Sequence, residues 1–517
     1  MGKKGYIFCY LICLIYLVGC ATNSQKNEIS TVNIAISGDG NADKLDATAY
    51  NSDMSLYGAV YEPLVQYGEK GNYLKGLASS WEIKEDGKKY IFNLNKGVKF
   101  SDGSELNAEA VKFTVERAKN NNENSTLQTL ANLEKIEIID DYTIVFIFNK
   151  ISNQVLAELS QTRPLRIMSP HSVIGNSPKG EFVKSIGTGP FTIKDSSSEE
   201  VLMEANPYFN QNNPLNYQVN FKTIQDGSSR MLSLKSGEVD IVGGTLGSLS
   251  DNNVKMLENE SKYKIHEFKG TMSHFLSFNP DAKLLSSPIR RGIELSINKD
   301  NLSSKKLLGL FRENVEYVTS ENQKKQSYNI QEGQSIFEAE GFTKSKNGYY
   351  EKDGEELVFK LVIQTTEFPE WKQQAEMIES DLKKCGIKVK IEILESGSYY
   401  DVLWKTKEFD MIFYRTYTDA LLPYNFLNSL FRNTETIHGV LANDNLLSSY
   451  LNAYAETIQE EKKQEIFDNI FKYINNETYA IPIDYKDEIF VTSKKITEFH
   501  YSGLSDSPID FVNMKVK

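Results

Sequence analysis

Cysteine and histidine are both scarce in this chain. Of its four cysteines, Cys9, Cys13 and Cys20 fall in the opening twenty residues, which leaves Cys385 alone in the rest. One cysteine supports neither a disulfide framework nor a cysteine-based metal site. The five histidines are His171, His266, His274, His438 and His500, and none forms a His-x-x-x-His or His-Glu-x-x-His spacing. Also missing are Gly-x-Ser-x-Gly, the Gly-x-x-x-x-Gly-Lys-Ser/Thr phosphate loop and a Gly-x-Gly-x-x-Gly turn after a strand. With no nucleophile–base signal, enzymatic activity is not expected. Positive charge is short as well, 58 Lys and Arg against 70 Asp and Glu, for a formal charge of −12. That balance argues against a nucleic-acid partner. It fits a cationic ligand and plain solubility equally.

Long apolar runs are missing too, with one exception at the start. Lys3 and Lys4 precede "YIFCYLICLIYLV" (6–18), an apolar run too short to span a bilayer comfortably. A basic start, a short apolar stretch and small residues at the cut describe a secretory signal. "LVGC" (17–20) resembles a lipobox, which implies that residues 1–19 are a lipoprotein signal peptide and that Cys20 becomes the acylated N-terminus. "ATNSQKNEIS" (21–30) has no large apolar side chain except Ile29 and reads as the lipid-anchored tether. Without Lys3 and Lys4 the formal charge falls by two, to −14.

The remaining chain is too long for one core and suggests two to four units. Alternation predicts strands at 31–37, 90–95, 143–149, 191–195 and 357–364. Helical spacing predicts helices at 107–120 with Asn107 as cap, 228–237 closed by Gly237, and 371–386 stopped by Gly386, the last followed by a strand at 387–394. Strand and helix alternate throughout, which argues α/β layers. Asp86-Gly87 and Asp102-Gly103 read as turns, and Gly187, Gly189 and Pro190 as a sharp bend into the next strand.

The stretch 61–118 resembles the signature region of the family 5 extracellular solute-binding proteins of ABC importers, the oligopeptide, dipeptide and nickel class. The matching pieces are Tyr61 to Leu64, Leu77 to Trp81, Asp86 to Tyr90 and Val98 to Gly103. Further blocks follow in order: "GTGPF" (187–191), "SGEVDI" (236–241), "PIRRGIELSINKDNL" (288–302), "KKCGIKVKI" (383–391), "FDMIFYRT" (409–416) and "YAIPI" (479–483). The resemblance implies a two-lobed periplasmic-binding-protein fold (type II, cluster C-like) with an extra subdomain on the first lobe. It implies lobe I at 31–272 plus 484–517, the extra subdomain at 76–180, and lobe II at 273–483. The implied function is capture of a ligand between the lobes and delivery to an ABC permease with its ATPase subunits. The protein would be a monomer with no intrinsic cofactor, held as a lipoprotein on the extracytoplasmic side, in the periplasm or on the outer face.

The candidate site begins with Arg163 in "ELSQTRPLRIMSP" (158–170). A residue before proline is pushed toward extended backbone. Arg163 therefore has a stiff base, and it serves either an internal carboxylate or one arriving from outside. Arg166 reads as a surface or structural cation. "RPLRIMSP" resembles the nickel and metallophore branch of the family, where the Arg of an Arg-Pro pair grips a carboxylate of an organic metal chelator. The same resemblance implies pocket roles for Tyr50 and Met54. It places Arg415 and Tyr417 in a cleft-facing stretch, "YRTYTDALLPYNFLNSL" (414–430), with Tyr417 stacking on the ligand where nickel-type members have Trp. His438 would touch the metal as one imidazole among chelator donors; the alternative is an ordinary loop histidine. Asp419 matches the aspartate by which peptide binders hold an amine, or is a turn residue. Two departures stand out. "NNNENSTLQ" (120–128) lacks the basic residues and Trp of nickel-type relatives, and Leu421 stands where they carry Tyr. The expected ligand is a chelated transition metal, nickel first, as a nickel–amino-acid or opine-type metallophore complex. The alternative ligand is a di- or oligopeptide.

Overall fold

The structure is a computed structural model. It describes residues 29–38, 42–51, 54–68, 70–210, 212–323, 328–431 and 444–517, apart from the side chains of Leu246 and Asp419. Cys20 and His438 lie outside the described residues.

The strand Ser30–Ile36 shows how the first lobe is built. Val32, Ile34 and Ile36 point into one core with Tyr57, Tyr61 and Phe221. Ala35 points into another with Met231, Leu234 and Val491. A strand with apolar partners on both faces must be covered on both faces, which is the arrangement of parallel α/β sheets. The strand pairs in parallel with Tyr217–Thr223 and Ile241–Gly243. The sheet has seven strands in the spatial order Tyr263–Phe268, Glu488–Ser493, Ile241–Gly243, Ser30–Ile36, Tyr217–Thr223, Glu200–Ala205 and Phe191–Ser196.

A second sheet has five strands: Lys388–Leu394, Val358–Gln364, Met411–Arg415, Ser273–Phe278 and Ala480–Tyr485. Its core gathers Phe275, Leu361, Trp371, Ile378, Phe413 and Phe426. A third sheet, of four antiparallel strands, contains Ala78–Lys84, Lys89–Leu94, Thr143–Phe148 and Leu133–Asp140. The helix Ala108–Asn121 covers it through Ala108, Val111, Val115 and Ala118. Asn107 caps that helix as expected, accepting from the Ala110 N–H at 3.0 Å. Gly237 and Gly386 end their helices in the left-handed region, where glycine carries no Cβ penalty.

The bend expected at Gly187 and Gly189 has a different cause. A Cβ at Gly187 would lie 2.0 Å from the Val60 carbonyl oxygen, and one at Gly189 would lie 2.6 Å from the Val60 carbonyl carbon. Glycine is required there by the close approach of another backbone segment, and neither residue has a positive φ.

The chain leaves the seven-stranded sheet after Phe268, enters the five-stranded sheet at Ser273, and returns between Tyr485 and Glu488. The two crossings are tied together by a bond from the Lys486 N–H to the Met272 carbonyl at 3.1 Å. Arg312, buried beside them, donates to the Gly270 carbonyl (3.0 Å), the Lys486 carbonyl (3.2 Å) and the Asp487 carboxylate (2.8 Å). Its guanidinium also stacks 4.0 Å over the Tyr485 ring. Lys305 bridges Glu267, at the end of the strand that leads into the first crossing, and Asp487 on the second. Burial pushes the Asp487 carboxyl up, but Lys305 and Arg312 outweigh it and hold the group below the usual carboxylate range.

Removing Arg312 takes one of two cations from Asp487 and a buried donor from the Gly270 and Lys486 carbonyls, a loss of about 3 kcal/mol. Arg312→Ala is therefore expected to lower unfolding stability by about that amount in urea titration. A loss below about 0.5 kcal/mol, the level of an ordinary surface substitution, would contradict the clamp.

Candidate functional site

Arg163 follows the short helix Val155–Leu159 and forms a cis peptide bond with Pro164. Its guanidinium carbon lies 5.0 Å from the Tyr50 ring centre and 6.0 Å from that of Tyr57. A cation at such distances from two rings is held by their π faces. Tyr57 is buried and donates to the Ala49 carbonyl at 3.0 Å, which closes the Tyr50 segment against the helix Met54–Val60. Met54 opens that helix. Tyr57 was not anticipated, although Tyr50, Met54 and Tyr57 have the spacing of one helical face.

Arg166 is buried, so it is structural. It donates to the Gln161 carbonyl at 3.1 Å and the Tyr61 carbonyl at 2.9 Å. Desolvation lowers its pKa to about 10 even with Glu62 nearby. Glu62 is pushed up to about 7 by its own burial, against the pull of Arg166. The two segments also pair through their backbones, because Arg166 bridges Pro63 and the Ile167 N–H bonds the Glu62 carbonyl.

On the other lobe, the strand Met411–Arg415 runs into Tyr417 and the short turn Thr418–Leu421, which contains Asp419. The Arg415 guanidinium stacks 3.9 Å from the Tyr417 ring centre, and its Nη2 donates to the Tyr400 hydroxyl at 3.3 Å. The Tyr417 hydroxyl donates to Glu367 at 3.1 Å, and its carbonyl accepts from the Thr271 hydroxyl at 2.9 Å. Leu421 is buried.

The C-terminal segment brings these two groups near each other. A Cβ on Gly58, next to Tyr57, would overlap the Ser507 hydroxyl, so the helix Met54–Val60 rides directly on that segment. One residue away, the Asp506 N–H donates to the Thr418 hydroxyl at 2.9 Å, between Tyr417 and Asp419. Residues 506 and 507 thus touch both the helix that carries Tyr57 and the turn that follows Tyr417.

Contacts farther out hold the lobes together. Glu158, five residues before Arg163, is buried and accepts from the Gln128 and Thr129 N–H groups at 2.8 and 2.7 Å. Its third bond crosses between lobes, from the Asn425 side-chain amide at 2.9 Å. Burial raises the Glu158 pKa despite these bonds. Asn153 donates to the carbonyls of Tyr454 and Thr457 at 2.6 and 2.8 Å, and Gln154 to the Tyr454 hydroxyl at 3.2 Å. Tyr50, about half exposed, also lines a polar cavity of about 480 Å³ with Asp46, Asn51, Arg117, Asn121 and Asn122; neither Arg163 nor the Tyr417 loop lines it. Among the described residues, no three His, Cys, Asp or Glu side chains are placed to hold a metal ion.

Two lobes joined by paired crossings give this chain the fold of the two-lobed periplasmic solute-binding proteins. The profile "Bacterial extracellular solute-binding proteins, family 5 Middle" matches residues 72–437, and the chain belongs to that family. Over 98% of both chains it is 24% identical to the nickel-binding periplasmic protein of Escherichia coli (strain K12). It is 26% identical to the probable D,D-dipeptide-binding periplasmic protein DdpA of the same strain, over 86% of this chain and 88% of the relative. The crystal structure of NikA from Brucella suis in complex with Fe(III)-EDTA superposes with a TM-score of 0.86 at 24% identity, covering 94% of this chain and 100% of the other. The sequence relatives carry the names of binding proteins, as expected for a carrier.

Glu62 generates a pH dependence. Its folded-state pKa, raised from 4.5 to about 7, means the fold favours the neutral acid. Its contribution is fully present below about pH 4.5 and is lost as pH rises through about 7. Glu62→Gln keeps the neutral form at every pH. The melting temperature of the variant minus that of wild type should therefore grow between about pH 4.5 and 7 and then level off. A difference that stays flat across that window would show that Glu62 is ionised in the fold.

Proposed function

We propose that this chain is the extracytoplasmic binding component of an ABC importer, and that its ligand is a transition metal, nickel first, inside an organic carboxylate chelate. In this reading residues 31–272 with 484–517 form one jaw and 273–483 the other. Arg163 takes a carboxylate of the chelator, Tyr50 and Met54 line the ligand on the same jaw, and Tyr417 with Arg415 forms the opposing wall. His438 completes the metal shell, and Cys20 carries the lipid that keeps the receptor at the membrane beside its permease.

The observation that carries the reading is the setting of Arg163, whose guanidinium lies over the Tyr50 and Tyr57 rings. A planar guanidinium recognises carboxylates through paired in-plane hydrogen bonds, and aromatic rings beside it orient that plane. The nickel-binding relative, aligned over nearly the full length, supports nickel as the first metal to try. The Fe(III)-EDTA complex of the structural neighbour supports a metal presented by a polycarboxylate. A second reading, a di- or oligopeptide receptor, is favoured by Asp419 beside Tyr417 and by the dipeptide-binding relative. There Asp419 would hold the peptide amine.

Calorimetry separates the two. Bare Ni²⁺ should bind weakly, because one imidazole does not fill a nickel shell, while Ni²⁺ with excess L-histidine should bind well. Arg163→Ala should fold normally and lose roughly 2–5 kcal/mol of binding, the range for removing one side of a desolvated charge pair. If it binds the chelate as wild type does while Asp419→Ala abolishes dipeptide binding, the peptide reading holds. For the anchor, Cys20→Ser should move the protein from the membrane fraction to the soluble fraction; a variant that still sediments with membranes would contradict lipidation.

A further inference from the structure

Glu367 lies in the loop between the strand Val358–Gln364 and the helix Glu370–Cys385, and no local sequence signal marked it. Its N–H donates to the Gln364 side-chain oxygen at 2.9 Å, which fixes the loop on a fully buried residue. Its carboxylate then collects three hydroxyls from two other segments. Oε1 accepts from Ser396 at 2.8 Å, and Oε2 accepts from Tyr400 at 3.2 Å and Tyr417 at 3.1 Å. The same two tyrosines contact Arg415, one through its ring face at 3.9 Å and the other through its hydroxyl at 3.3 Å. Glu367 and Arg415 are opposite charges that share Tyr417 and Tyr400 as common neighbours.

This arrangement limits what Tyr417 can do. Its carbonyl is held by Thr271 on the first crossing, and Arg415 covers one face of its ring. The neighbouring Phe368, itself stacked 4.3 Å from Trp371, lies 6.3 Å away. A tyrosine has two rotatable side-chain bonds, and the hydroxyl bond to Glu367 fixes their outcome at the far end of the ring. An ionised carboxylate makes that bond stronger than a neutral acceptor would.

We infer that Glu367 is a positioning residue for the ligand cleft: it sets the angle of Tyr417, and with it the Arg415–Tyr417 wall that the ligand meets. The inference rests on the proposed role of Tyr417 as a cleft wall. It adds a residue that need not touch the ligand yet acts on affinity through the Tyr417 hydroxyl. The structural alternative is that Glu367 only pins its own loop to the helix Ser396–Asp401 through Ser396.

A double-mutant cycle with Ni²⁺ plus excess L-histidine as probe separates them. Glu367→Gln and Tyr417→Phe should each weaken binding by about threefold to tenfold, the net worth of one hydrogen bond to a charged or polar partner. Because Tyr417→Phe removes the bond that Glu367→Gln weakens, the double variant should be no weaker than the weaker single variant. Losses that multiply, or a Glu367→Gln protein with wild-type affinity, would overturn the inference. Ser396→Ala, which cuts the loop contact and leaves the Tyr417 bond, should keep wild-type affinity; a loss as large as that of Glu367→Gln would also overturn it. A ligand-free measurement keeps the test independent of the proposed cargo. With ¹³C-labelled tyrosine, Glu367→Gln should shift the Tyr417 and Tyr400 ring signals, assigned through Tyr417→Phe and Tyr400→Phe. If wild type binds no chelate, the proposed function fails and this NMR result alone decides: a shifted Tyr417 signal supports the positioning role, and an unmoved one overturns it.

Discussion

Arg312 touches both segments that join the two sheets. One nitrogen of its guanidinium reaches carbonyls on each crossing and the carboxylate of Asp487, while its face lies on Tyr485. Everything distal depends on where those crossings sit. Thr271, on the first, holds the carbonyl of Tyr417. Glu488, just beyond the second, is buried and bonded to the Thr245 N–H at 2.8 Å. A joint defined by charge-assisted bonds and a stacked ring has a specific geometry. In the proposed reading, two lobes swinging on it would come together in a defined register, the requirement for hinge closure around a ligand.

The proposed cleft is built from tyrosine and arginine more than from carboxylates. Arg163 rests on Tyr50 and Tyr57 from one side, and Arg415 rests on Tyr417 from the other. Tyrosine supplies a flat apolar face and a hydroxyl that can be tied down, as Glu367 ties Tyr417. The acidic residues that hold the lobes together, Glu158 above all, are bonded to backbone N–H groups and to Asn425. Glu158 and Arg163 share one short stretch of chain, so the segment proposed to feel the ligand is also a segment that feels closure. In the proposed reading this links binding to shape through the bonds between the lobes.

The fold was readable because its signals are local and periodic. The alternation at 31–37 became Ser30–Ile36, and Asn107 and Gly386 capped their helices as their side-chain chemistry dictates. The family blocks placed these pieces in order. The reason for Gly187 and Gly189 was missed because the segment they approach, Val60, lies more than a hundred residues away and leaves no trace in their neighbourhood. Arg166 could have been surface or buried on sequence alone; the fold buries it against the Tyr61 carbonyl. Tyr57 carried a signal in its spacing from Tyr50 and Met54. Glu367, Arg312 and Asn425 carried none, since each acts on residues brought close only by the tertiary fold.

The central claim is that this joint closes on a metal held by a carboxylate chelator. Native mass spectrometry of the full protein, released gently from its own envelope, tests it most directly. The expected spectrum shows one adduct whose mass and isotope pattern correspond to a single transition-metal ion together with a small organic acid. An adduct made of peptide alone, with no metal, would contradict the account.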